Sequence, residues 1–388
     1  MGTVRMNRLQ DYWKKDPLFH NAGIANSISR NRFLLILRAL HFAKNSEPGE
    51  PQPTDRLYKI RPVIDFFNER MCEIYYPNRE LSLDESMVLW RGRLLFRQYI
   101  KNKRHKYGIK LYILSTSSGI VQKIAVYTGL LDDYGGQNHT QKIVLHLLNE
   151  KLNVGHHVFM DNYYNSFDLA KLLLDKKTHC TGTLRTTRKN TPKNVQTTKL
   201  RKGDTIERYC QGVMIGKWKD KREVSYISTE YKNEMVDILN KRNEIKQKPL
   251  PIIKYNAFMS GVDRQDQMLS YYLSERKSLR WYKKLFFHTI EVMLMNSHAL
   301  YNKYSGKKIS LYEYRLNVVK SLLPSTDEQK PTPKNLRHTL QKREPAPGKT
   351  KIQRKRCTSC SSQGKRTDTT YECRDCPDKP GYYLNCCE

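Results

Sequence analysis

The chain has 388 residues, with 70 Lys and Arg against 38 Asp and Glu and a formal net charge of +32. So large a cationic excess points to a polyanionic partner, and a nucleic-acid backbone is the commonest one. The composition argues against a membrane-spanning protein, because no apolar run approaches the roughly 20 residues a bilayer needs, and the opening Met-Gly-Thr-Val-Arg-Met-Asn lacks the apolar core of a signal peptide.

The first 70 residues read as helical. Phe33, Ile36, Leu37 and Leu40 fall on one stripe with Ser29 or Asn31 as cap, and Asp55 is expected to cap a further turn beyond the Pro-rich stretch 47–54. Near residue 80 the period shortens to that of strands. Segments 81–84, 108–115 and 121–128 read as three strands, the last two joined by a turn at Ser117-Ser118-Gly119. A helix over 140–152, a strand over 157–161, a helix capped by Ser166 and a strand over 180–184 follow. That order predicts a mixed α/β layer. Residues 185–255 break it with Lys, Arg, Thr and Asn and only a few strand-like pieces, so they read as an insertion. A helix opening near Asp263 and a long helix over 281–304 come next, then a Pro- and Lys-rich linker over 324–356.

Three aspartates stand in settings that surface solvation explains poorly. Asp84 and Asp161 close short apolar strand-like runs, and Asp263 opens a helix with Asp266 one turn later on the same face. Carboxylates at strand ends and a helix start can converge, where they would repel one another unless a hard divalent cation, magnesium or manganese, neutralised them. The bland alternative makes each a turn residue or helix cap. Beside the first aspartate runs a basic strip of Arg91, Arg93, Arg97, Lys101, Lys103, Arg104, Lys106 and Lys110, interleaved with Tyr99 and Tyr107. It reads as a surface that grips a phosphate backbone, against the alternative of a solvated face. Arg185, Arg188, Lys189 and Lys193 form a second candidate strip. No Ser/His/Asp arrangement suggests a covalent nucleophile, and no Gly-rich phosphate loop suggests a nucleotide cofactor.

Cysteines divide the chain. Cys72, Cys180 and Cys210 are scattered and read as buried free thiols of a reducing compartment. Cys357-x-x-Cys360 and Cys373-x-x-Cys376 are two knuckle pairs followed by Cys386 and Cys387, a zinc-site spacing.

The ordered motifs Asp84-Glu-Ser-Met, Arg91-Gly-Arg, Tyr99-Ile-x-Asn-Lys-x-x-Lys-Tyr-Gly-Ile-Lys, Asp161-Asn-Tyr-Tyr-x-Ser and Gly261-Val-Asp-x-x-Asp-Gln-Met resemble those of the piggyBac family of cut-and-paste DNA transposases and their domesticated derivatives. The resemblance implies a ribonuclease H-like core interrupted by an insertion domain, flanking helices for dimerisation and DNA binding, double-stranded DNA and TTAA target sites, a homodimer and a nuclear location. It implies catalytic roles for Asp84, Asp161 and Asp263 with Asp266 as accessory carboxylate. The expected organisation is a helical region at 1–79, catalytic core at 80–184, insertion at 185–255, the end of the core with DNA-binding helices at 256–323, linker at 324–356 and zinc module at 357–388. In the family's two-zinc cross-brace, Cys357 and Cys360 would share a metal with Cys386 or its neighbour. Cys373 and Cys376 would be left with His338 and a missing ligand, so fewer than two tightly held zincs are expected. The competing expectations are a derivative that binds DNA without cutting, and a truncated copy whose zinc module serves protein contacts.

Overall fold

The computed structural model describes residues 2–51, 53–101, 103, 105–129, 134–239, 242–274, 276–323, 339–374, 376 and 378–386. Three residues singled out above, Arg104, His338 and Cys387, lie outside them. The chain divides into two units, residues 1–319 and 320–388.

In the first unit, short helices α1 (Ala22–Ser27) and α2 (Arg30–Ala39) precede α3 (Arg61–Ile74). Ser29 caps α2 as expected, its Oγ accepting the Arg32 N–H at 3.3 Å. The apolar stripe of α2 is narrower than its period suggests. Phe33 packs on Trp13 with ring centroids 5.3 Å apart, whereas Ile36 faces solvent. Asp55 caps the turn at 56–60 as expected, although that turn is not a helix. Its carboxylate accepts from Leu57 N–H and pairs with Arg61, closing a turn from which α3 starts.

The sheet is built from β1 (Glu80–Leu89), β2 (Gln98–Tyr99), β3 (Tyr107–Thr116), β4 (Val121–Val126), β5 (His157–Met160), β6 (His179–Thr183), β7 (Thr205–Cys210), β8 (Val213–Lys219) and β9 (Glu223–Ser228). Its order is β2-β3-β1-β5-β6-β9-β8-β7, with β4 also on β3. The β1–β5 and β5–β6 pairs are parallel and the rest antiparallel. Parallel neighbours need crossovers, and α4 (His139–Leu148) and α5 (Phe167–Asp175) supply helices on one face. Side-chain alternation divides β3 between two cores. Tyr112 and Leu114 join Leu81, Leu83, Val144, Met160 and Leu173 on the α4/α5 side. Ile109, Leu111 and Ile113 join residues of α3 on the other.

Residues 185–255 are less set apart than their composition suggests. They hold a short helix α6 (Lys193–Thr197), the strands β7 to β9, and a hairpin of β10 (Met235–Leu239) and β11 (Ile245–Pro249). β9 pairs with β6 through Gly182↔Ile227, and Val213 and Ile215 of β8 enter the α4/α5 core. The lysines hid this strand: Lys217 is buried, and its ammonium donates to the Gln196 and Thr198 carbonyls. Then follow α7 (Leu250–Phe258), α8 (Gly261–Tyr271), α9 (Trp281–Tyr304) and α10 (Leu311–Leu322), with Leu285, His288, Val292 and Met295 buried along α9.

Cys180 is buried as expected, but Cys72 and Cys210 are exposed, on the outer side of α3 and at the end of an edge strand. In the second unit, β12 (Leu340–Lys342), β13 (Lys355–Arg356), α11 (Thr358–Ser362), β14 (Asp368–Thr369) and β15 (Tyr371–Cys373) form two small ladders, β12 with β15 and β13 with β14. The expected linker is therefore partly structured. Residues 340–342 pair with the second knuckle's strand, and Glu372 binds Arg343 and Lys355 at 3.0 and 3.2 Å. Among the described residues, no helix is long and apolar enough to cross a membrane.

Candidate active site

Register places the first two aspartates. Leu83 of β1 lies opposite Met160 of β5 in a parallel pair, so Asp84 and Asp161, one residue on, sit at the same level of strands about 4.8 Å apart. β5 ends there because the Asp161 carboxylate accepts the Tyr163 N–H at 2.8 Å and turns the chain. On the next strand Gly182 faces Met160, where a Cβ would come within 1.8 Å of the Met160 carbonyl oxygen.

The third and fourth aspartates arrive from α8. Ser82 Oγ donates to the Met259 carbonyl at 2.6 Å, and Ser86 Oγ donates to Asp266 Oδ1 at 2.5 Å. Residue 84 alternates to the same face of β1 and lies between these two contacts, so it looks onto the first turn of α8, which carries Asp263. Gly261 makes the approach possible: a Cβ there would stand 2.2 Å from the Thr116 carbonyl oxygen and 2.6 Å from Ser115 Oγ.

The electrostatics fit acids gathered away from water. Burial, opposed by Lys103 and reinforced by Glu85, pushes the Asp84 carboxyl up to about 8. Burial also raises Asp161 and Asp266. The Tyr255 hydroxyl in α7 is pushed to about 12 by burial first, and by Asp161, Asp84 and Asp263 as well. Asp263 itself is exposed. Among the described residues, the only trio of ligating side chains with all donor atoms within 4.8 Å of one another is Cys357, Cys360 and Cys386. Asp84 and Asp161 thus share a level, and α8 brings Asp263 and Asp266 to that side, without three of their oxygens closing to that distance. The donor set is nonetheless all carboxylate, the chemistry of a hard divalent cation. Asp84 Oδ1 accepts its neighbour's N–H at 2.8 Å and Asp161 Oδ1 accepts that of Tyr163, which orients each group.

The sequence reading placed Glu85, Ser86, Tyr164 and Gly261 in motifs without giving them a role, and passed over Ser82 and Gly182. Tyr164 is buried, and its hydroxyl donates to Glu85 Oε2 at 3.3 Å. The basic strip divides. Arg91, Arg93, Arg97, Lys101 and Lys106 are exposed. Lys103 instead turns inward, its Nζ donating to the Glu85 carbonyl at 2.7 Å, and its charge acts on Asp84, Asp161 and Asp266. Lys110 is buried between the Tyr112 and Tyr163 rings, 4.6 and 4.2 Å from their centroids, so it leaves the strip. From the second strip, Arg185 Nε donates to Asn162 Oδ1 at 3.1 Å and Arg188 to the Tyr163 carbonyl, both beside Asp161.

In the second unit Cys360 and Cys386 Sγ are 3.5 Å apart, and the Tyr383 N–H donates to Cys357 Sγ at 3.3 Å. Thiolates around a tetrahedral zinc with bonds of about 2.3 Å stand roughly 3.8 Å from one another, so the trio fits three corners of such a site. Burial pushes the Cys357 thiol up, but the Cys360 and Tyr383 N–H groups outweigh it and bring it down to about 7. Hydrogen bonding to Cys360 raises Cys386 to about 11. Cys373 and Cys376 do not join this group.

Residues 1–298 match the family model described as Transposase IS4, which holds the piggyBac-type transposases. The chain belongs to the piggyBac transposase family. It is 28% identical to human PiggyBac transposable element-derived protein 3 over 335 residues, 82% of this chain and 56% of that one. It is 26% identical to human PiggyBac transposable element-derived protein 2 over 324 residues, 77% of this chain and 53% of that one. The chain thus spans about half the length of these two piggyBac relatives. Its fold is that of a piggyBac transposase solved as a synaptic complex with hairpin DNA: TM-score 0.73 at 24% identity, over 98% of this chain and 85% of the other. The mixed sheet and its helices are therefore the ribonuclease H-like core of a piggyBac-type protein.

Proposed function

We propose that this chain is a DNA transposase that cleaves and joins strands at TTAA sites in the nucleus. Asp84, Asp161 and Asp263, with Asp266, would hold two divalent cations, magnesium or manganese. When bound, such cations supply Lewis-acid stabilisation of a phosphate and a lowered pKa for the attacking oxygen. The chain's own residues do the rest. Asp84 presents its oxygens from the middle of β1 and Asp161 from the end of the neighbouring β5, α8 brings two more across from Asp84, and Ser86 orients Asp266. Lys103 opposes the rise that burial imposes on Asp84 and Asp161, and so favours their charged forms. The exposed arginines and lysines of 91–106 would grip the backbone of double-stranded DNA, and the Cys357–Cys360–Cys386 trio would take zinc. Two DNA ends call for two such sites, hence a homodimer.

The observation that carries the reading is the set of half-buried carboxylates, Asp84, Asp161 and Asp266, each raised by burial, gathered from β1, the end of β5 and α8. A protein that only binds DNA gains nothing by keeping them. The test is a nicking assay with magnesium on TTAA-flanked transposon ends, beside Asp84→Asn. Metal-dependent cleavage that the variant loses, with duplex binding intact, is expected. A wild type that binds the ends but never nicks them under any divalent metal would overturn the cutting role.

A further inference from the structure

Tyr99 and Tyr107 are register partners on β2 and β3, at the outer edge of the sheet. Their rings lie 4.8 Å apart at 46°, and they are 54% and 48% exposed. A cross-strand aromatic pair stabilises a hairpin, and this one also leaves about half of each tyrosine open to a ligand. The tilted pair forms an open notch, in which a flat ring lying on one tyrosine face meets the other at that same tilt of 46°. The surroundings are cationic. The Arg97 guanidinium is 5.8 Å from the Tyr107 centroid, and Lys101 and Lys106 on the connecting loop are exposed.

The hairpin is tied to the candidate active site at two points. The Trp90 N–H donates to the Tyr107 carbonyl at 3.3 Å, and Lys103, from the loop, donates to the carbonyl of Glu85, next to Asp84. Six residues of extended chain separate Asp84 from Trp90, about 20 Å at roughly 3.3 Å per residue. The notch therefore stands at a set distance from the carboxylates, about six stacked bases at ~3.4 Å each.

We propose that the Tyr99–Tyr107 notch is a nucleobase-stacking subsite that holds one unpaired base of a DNA strand whose phosphates lie on Arg97, Lys101 and Lys106. An aromatic shelf flanked by cations suits a single strand, because every base offers a π face while a duplex hides its own. The inference rests on the DNA reading above and adds to it the strand state that this surface selects.

The test compares the intact protein on two probes: a blunt duplex, and the same duplex with single-stranded extensions of eight nucleotides carrying 2-aminopurine. Wild type is expected to prefer the extended probe by about tenfold and to quench its fluorescence. Tyr99→Ala/Tyr107→Ala should bind both probes alike, with blunt-duplex affinity within about twofold of wild type, and Tyr99→Phe/Tyr107→Phe should keep the preference. Four results would overturn the subsite: no wild-type preference, a preference that survives the double Ala change, equal losses on both probes, or capture of an acidic peptide in place of the single strand. Failure of wild type to bind either probe would instead bring down the DNA reading itself, and the subsite with it.

Discussion

Asp84 shows how one residue reports on its site. Its carboxyl is pushed from an ordinary 3.8 up to about 8, by burial above all. The folded metal-free chain therefore holds a proton there that the unfolded chain has released. Between about pH 4 and pH 8 the unfolded state binds fewer protons, so stability falls as pH rises through that window. Asp84→Asn removes the term. In chelator the variant should match wild type near pH 4 and melt a few degrees higher by pH 8, with the gap opening steadily between. Magnesium should raise the melting temperature of wild type more than that of the variant, since a ligand stabilises in proportion to its affinity for the fold. Equal melting curves across the range would mean that Asp84 is solvated and not part of a buried acid cluster.

At the scale of elements, the site depends on how closely α8 lies on the sheet. Gly261 permits that approach, and the Ser82–Met259 and Ser86–Asp266 bonds set its register. Gly261→Ala puts a methyl where the Thr116 carbonyl already stands, so α8 must move off β3 and take Asp263 and Asp266 with it. The expected cost is about 2 kcal/mol or more. A loss of magnesium affinity should exceed that of Gly23→Ala, made at a helical glycine whose added methyl would meet only Asn21 Oδ1 at 3.6 Å; equal effects would show that close packing of α8 is not required. Much of this was legible beforehand. The apolar run before Asp161 showed a strand end, and the spacing of Asp263 and Asp266 showed one helix face, but the strand expected to close at Asp84 runs on to Leu89, because Met87 and Val88 beyond it are buried as well. The glycine's role was hidden, because it depends on a carbonyl 145 residues earlier in the chain. The strand β8 was hidden because Lys217, a polar letter in the sequence, is buried through carbonyl contacts that only the fold supplies. Lys103 and Lys110 looked like members of one basic strip, since composition records a charge and not the direction in which its side chain points.

Over the whole molecule, two chemistries belong to two units. The cysteine trio lies in residues 320–388 and the carboxylates in residues 1–319. Zinc binding by so small a unit is folding energy. Cys357→Ser with Cys360→Ser should therefore abolish one tightly held zinc per chain and the ordered structure of 340–386, while the main melting transition of 1–319 persists. Metal analysis of the wild type that finds two equally tight zincs would show that Cys373 and Cys376 complete a second site.

The net charge of +32 belongs to the same scale, but not all of it is available to a polyanion. Within 91–110, Lys103 faces the carboxylates and Lys110 is enclosed by tyrosines, whereas Arg91, Arg93, Arg97, Lys101 and Lys106 point outward. Each phosphate contact releases condensed counterions, so log K should fall with log salt by about 0.9 per contact. Replacing the five outward residues by Ala should lower duplex affinity for every sequence alike and flatten the salt slope by up to about 4. Lys110→Met should leave the slope where it is, because a buried ammonium meets no phosphate. Titration of duplex binding between 50 and about 200 mM salt separates the cases. A slope unchanged in the fivefold variant would make the strip a solvated face, and one flattened by Lys110→Met would mean that the tyrosine cage opens onto DNA.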